Sequence, residues 1–131
     1  MANKYSISTI VSYGYEEAVA EAREALANEG FGILTEIDVK AALKQKLDKD
    51  FTKYIILGAC NPALAFEALT TEIEVGLLLP CNVIVYEAKD GAIVVAAIEP
   101  MTAMSFVGNP ELASIAGKVK EKLERVIASL P

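Results

Sequence analysis

Residues 5–13 alternate: Tyr5, Ile7, Thr9 and Val11 fall on one side of an extended segment, and Ser6, Ser8 and Ser12 mostly on the other. This period of two marks a half-buried strand. The period then lengthens. Tyr15, Ala18, Val19, Ala22, Ala25 and Leu26 recur at helical spacing opposite Glu16, Glu17, Glu21, Arg23 and Glu24, and Gly30 is a natural stop, so a helix is predicted over residues 15–29. Phe31 to Ile37 reads as a second strand, and Asp38 caps a short helix with Val39, Ala42, Leu43 and Leu47 on its apolar side.

Lys53 to Ala59 is an apolar run rich in β-branched residues and predicts a central strand. Asn61-Pro62 is an N-cap followed by a first helical proline, opening a helix to about Ile73. Cys81 to Glu87 and Ala92 to Glu99 flank Lys89-Asp90-Gly91, the strongest hairpin signal in the chain. Asn109-Pro110 repeats the cap-plus-proline signature before a helix burying Leu112, Ile115, Ala116, Val119, Leu123 and Ile127. Residues 100–108 read as an irregular connector. The order is βαβαβα, a hairpin, then α. This predicts an α+β domain over residues 1–131, with its core at about 5–128 and a single mixed sheet carrying helices on one face.

Composition narrows the function classes. The 131 residues suit one domain that needs neither disulfide nor metal to hold a core. The hydrophobic share of 53% exceeds the usual fraction and suggests apolar surface covered by a second copy of the chain. Net charge is −6, and a local basic cluster, Lys40, Lys44, Lys46 and Lys49, is interleaved with acids. Nucleic acid and anionic membrane surfaces are therefore not expected partners. Histidine is absent, which removes Ser-His-Asp and Cys-His catalysis and imidazole metal ligation. The N-terminal residues Met1 to Tyr5 show no apolar leader, so a cytoplasmic protein with free thiols is expected.

Candidate chemistry gathers at two cysteines. Cys60 ends an apolar strand just before a helix start, where N–H donors and the helix dipole can activate a thiol. Cys81 enters a strand after Pro80. If those strands run antiparallel, the end of one meets the start of the other. Asn61 and Asn82 each follow a cysteine and supply amides able to orient a small polar or anionic ligand. Glu36 and Asp38 share one face of the second strand, while Thr35 points the other way, so paired carboxylates form a second candidate. Beside each functional reading stands a packing one: buried thiols, an N-cap at Asn61, a turn or strand-end residue at Asn82, one exposed acid and one helix cap. No C-x-x-C spacing exists, and only carboxylates such as Glu36, Asp38 or Glu99 could complete a thiolate site, so no metal is expected and no cofactor is indicated. Met101, Met104 and Phe106 in the connector read as a cover over the core or a lid beside a pocket.

The segments Gly30-Phe31-Gly32-Ile33-Leu34-Thr35-Glu36-Ile37-Asp38-Val39, Ile56-Leu57-Gly58-Ala59-Cys60-Asn61-Pro62 and Gly76-Leu77-Leu78-Leu79-Pro80-Cys81-Asn82-Val83 resemble three ordered motifs of the domain-of-unknown-function 302 family. The resemblance runs from about residue 5 to 128. It implies an α/β fold grouped by shape with TATA-binding-protein-like sheets, and dimers, without implying DNA binding. Glu99-Pro100 stands where the family pattern has Asp-Pro, a change that keeps the carboxylate.

The expectation is a homodimeric domain binding a small ligand near Cys60, Asn61, Cys81 and Asn82, with Glu36 and Asp38 as outer candidates. A thiol enzyme or redox sensor using Cys60, and a purely structural dimerisation module, are the alternatives.

Overall fold

The computed structural model describes residues 3–131; Met1 and Ala2, part of the leader reading, lie outside them. Five strands, β1 (Ser6–Val11), β2 (Gly32–Asp38), β3 (Tyr54–Cys60), β4 (Cys81–Glu87) and β5 (Ile93–Ile98), form one open sheet in the order β1-β5-β4-β3-β2. The helices are α1 (Tyr15–Asn28), α2 (Val39–Leu47), α3 (Pro62–Thr71), α4 (Pro100–Met104) and α5 (Pro110–Ala128), and 3₁₀ turns cover Ile73–Leu78 and Ser105–Val107.

The α+β class and the single sheet stand, but the sheet is antiparallel at every pairing rather than mixed. The reason lies in the first crossover. β1 and β2 point the same way, yet they occupy opposite edges and β5, β4 and β3 fill the space between them. The parallel relation survives with no parallel neighbours.

Alternation decides what each face carries. Ile55, Leu57 and Ala59 of β3 align with Val85, Val83 and Cys81 of β4, and Val83 and Val85 in turn with Ala97 and Val95 of β5. These residues are buried, forming one core with Ala18, Ala22 and Leu26 of α1 and Leu123, Val126 and Ile127 of α5. Arg125 of α5 grips Glu29, just beyond α1, through both carboxylate oxygens at 2.9–3.2 Å. The hairpin turns at Gly91, whose φ of +87° is the left-handed conformation that favours glycine.

The connector expected to be irregular contains α4. Its cap is Glu99, whose carboxylate accepts from Met101 N and Thr102 Oγ1, each at 2.7 Å. Glutamate is not among the preferred capping residues, so the third cap-plus-proline pair in the chain is hard to read from sequence.

Candidate functional site

A second apolar cluster sits beyond the end of the sheet, where α3, the Ile73–Leu78 turn and α4 meet the first half of α5. Leu64, Ala68, Val75, Met104, Leu112, Ile115 and Ala116 form it. Unlike the sheet core it is not filled. A cavity of about 290 Å³ opens between these elements and the strand ends.

Antiparallel pairing brings the two cysteines to this cavity. Ala59 is the register partner of Cys81, so Cys60, the next residue, lies diagonally across from it. Both line the cavity, as does Asn61. Cys60 is half-buried and Cys81 is buried; both are free thiols. Burial pushes the Cys81 thiol up to about 11, and the neighbouring Cys60 adds to the shift. Cys81 is thus held as a neutral thiol at physiological pH.

Asn61 caps α3: its Oδ1 accepts from Leu64 N at 3.2 Å. Its Nδ2 lies over Gly30, where a Cβ would come within 3.1 Å, and Gly30 itself has φ +85°. The glycine opening the first family-like motif therefore makes room for the asparagine of the second. Gly58 is equally constrained. A Cβ there would collide with Thr35 Oγ1 and lie 2.8 Å from Pro80 Cγ, so this glycine lets β2 and the Leu79-Pro80 turn close around β3.

The remaining candidates lie elsewhere. Asn82 pairs with Gly58 and is exposed on the opposite face of the sheet. Glu36 and Asp38 do share a face, as alternation requires, but they do not act together. Glu36 pairs with Arg23 of α1 at 2.6 Å, and Asp38 accepts from Ala41 N at 2.9 Å as the cap of α2. None of the three lines the cavity.

The wall that sequence reasoning missed is apolar: Phe31, Leu64, Ala68, Leu79, Ile115 and Val119 complete much of it. Leu34 joins through a β-bulge, since the register slips between Ile33 and Thr35 and re-aims the inserted residue. Met104 contributes from α4, while Met101 and Phe106 of the same connector are exposed and do not line the cavity. One signal was available: Ala63, Ala65 and Ala68 crowd α3 with small side chains, which leave space that larger residues would close. The lining offers few partners to the polar or anionic ligand expected from the sequence.

The family model for Domain of unknown function DUF302 matches residues 7–130. The chain belongs to the DUF302 family. It is also similar to a solved structure, the crystal structure of an uncharacterized conserved DUF302 protein from Bacillus stearothermophilus. The two share 29% identity and superpose with a TM-score of 0.91, over 98% of this chain and 100% of that one. No curated protein matches the chain significantly. The three motifs that carry the family resemblance converge in this DUF302 fold: Gly30 and Leu34 from the first, Cys60 and Asn61 from the second, and Pro80 and Cys81 from the third meet at one end of the sheet.

Proposed function

We propose that this DUF302 protein binds a small, predominantly apolar molecule in the cavity beside Cys60, Asn61 and Cys81, and that it does so as a homodimer in the cytoplasm. The observation carrying this reading is the unfilled apolar cavity at the junction of the three family motifs. The cavity is partly open to solvent, and its almost wholly apolar walls stay in contact with water unless something covers them, which is unfavourable. At about 290 Å³ it is roughly twice the size of an engineered cavity of about 150 Å³ that binds benzene. That room suits a ligand of about ten to fifteen heavy atoms. The Asn61 amide and the Cys60 thiol are the polar groups that would orient a carbonyl or hydroxyl on it.

Native mass spectrometry of protein purified without added ligand tests the reading directly, by showing any co-purified molecule and its stoichiometry. Anilinonaphthalene sulfonate serves as an apolar probe. Its fluorescence should rise with the wild-type chain and fall to background with Ala68→Phe, which fills the cavity from α3. Equal probe binding by the folded variant rejects the site.

A second reading uses the same cavity for thiol chemistry at Cys60. It is favoured by the asymmetry between a half-buried Cys60 and a buried Cys81 whose thiol is pushed up to about 11. Alkylation by iodoacetamide distinguishes the two readings. A Cys60 rate well above that of an unstructured thiol supports nucleophilic chemistry, and a slower rate leaves simple binding.

A further inference from the structure

The space beside the cysteines continues past α4. A second, more open cleft of about 220 Å³ lies between α4 and the start of α5, bounded by Met101, Ser105, Gly108, Asn109, Pro110 and Ala113. Met104 is the one residue that lines both spaces, and it is buried. It sits at the end of a five-residue helix, where the chain passes into the Ser105–Val107 turn. An unbranched side chain with three rotatable bonds re-packs more readily than any other apolar one of its size. The partition between the two spaces is therefore a yielding one, and a slender chain can pass where a ring system cannot.

The two ends of this combined space differ in chemistry. At the cleft the polar side chains are already engaged. Asn109 Oδ1 accepts from Glu111 N and Leu112 N, its Nδ2 donates to Glu72 Oε1 at 3.2 Å, and Ser105 Oγ donates to the Thr102 carbonyl at 2.9 Å. What the cleft still offers is the apolar surface of Met101, Pro110 and Ala113. At the cysteine end Asn61 Oδ1 is taken by Leu64 N, but its Nδ2 finds no acceptor among the described residues. One free donor thus faces an apolar path. No residue lining either space is charged, so an ionised group drawn inside would lose its hydration without gaining a counter-ion.

We propose that the ligand is a linear, uncharged alkyl chain with one hydrogen-bond-accepting end group, that this end sits at Asn61, and that Met104 sets how long a chain the protein accepts. The proposal rests on the binding reading above and names its ligand class. The first cavity holds the head and the nearer methylenes. A longer tail pushes Met104 aside and enters the cleft, which adds most of the first volume again. Each further methylene taken out of water tightens binding about fourfold, so the cleft contributes only for chains long enough to reach it.

Competition against the neutral fluorescent probe N-phenyl-1-naphthylamine tests this on the full chain, with 1-octanol as the short ligand and 1-tetradecanol as the long one. The readout is the ratio of their affinities, which cancels any general loss of binding. Met104→Ala removes the partition and should raise the preference for 1-tetradecanol at least tenfold. Ala113→Phe fills the cleft from an exposed position of α5, where it leaves the fold intact, and should lower that preference at least tenfold with 1-octanol unaffected. Tetradecanoate should compete at least tenfold less well than 1-tetradecanol. A wild-type chain that takes up neither the probe nor the alcohols overturns the binding reading itself. Alcohols that bind with a ratio unmoved in Ala113→Phe and in folded Met104→Ala overturn only the role of Met104; should Met104→Ala fail to fold, Ala113→Phe decides alone. Tetradecanoate binding as tightly as the alcohol overturns the uncharged end group.

Discussion

The two apolar clusters are built from similar residues and do opposite things. In the sheet core Leu26, Leu57, Val83, Val85, Val95 and Leu123 are completely inaccessible, because a strand face and two long helices present regular rows of side chains that interdigitate. At the cavity end the facing elements are short. The ten-residue α3 and the five-residue α4 meet α5 with alanines and a methionine, and no regular ladder sets their spacing. The first region is packed to hold the fold together. The second leaves a space that packing does not fill.

Filling the same residue type in both regions breaks or sharpens that contrast. Ala97, buried between β4 and β1, has no room, so Ala97→Phe should destabilise by about 3 kcal/mol. Ala68, equally small and equally buried, faces the cavity, and Ala68→Phe should change stability by less than about 1 kcal/mol. Urea denaturation of the two variants measures the difference, and equal losses would mean that the cavity end is as tightly determined as the sheet.

Cys81 lies on the boundary between the regions, and its titration reports on which side it belongs. Its thiol rises from an ordinary 9.0 to about 11 in the fold. Above pH 9 the unfolded chain loses this proton first, so the stabilisation present below pH 9 is lost as pH climbs toward 11. A shift of that size corresponds to about 3 kcal/mol. Cys81→Ala should remove this part of the alkaline loss, seen as a shallower fall in denaturation midpoint between pH 9 and 11. An identical slope would mean that water reaches the thiol through the cavity.

Asn61→Ala should cost about 1 kcal/mol through the lost cap on α3. If the denaturation midpoint stays put while probe binding changes, the amide belongs to the site rather than to the helix. The smallest effect is expected far from the cavity. The Arg125 hydrogen bonds hold the Glu29 carboxyl below its usual range. Its contribution is present above the ordinary glutamate value and disappears as pH falls through the depressed one. Glu29→Gln should therefore flatten the acid limb of the stability profile and leave the neutral region nearly unchanged.

Much of the fold was legible because local chemistry speaks for itself. Alternation marked β1, Asp-Gly marked the hairpin, and Asn-Pro marked the starts of α3 and α5 within a residue of where they lie. The connector helix was not, because Glu99 caps it without belonging to the usual capping set. The mixed sheet was expected because a strand-helix-strand order suggests adjacent parallel partners, and periodicity says nothing about which strands insert between them.

The candidate site divides along the same line. The motifs pointed to Cys60, Asn61 and Cys81, and antiparallel pairing brought those three to one cavity. Asn82 went to the other face because it is one residue along a strand of period two. Glu36 and Asp38 were drawn away by Arg23 and by the start of α2.

By itself, then, the sequence determined the elements, the helix caps, the acidic surface and the absence of imidazole chemistry, since each depends on a residue and its near neighbours. Only the tertiary structure decided the strand order and the apolar character of the cavity. Those depend on which distant segments meet, and on how much space their side chains leave when they do.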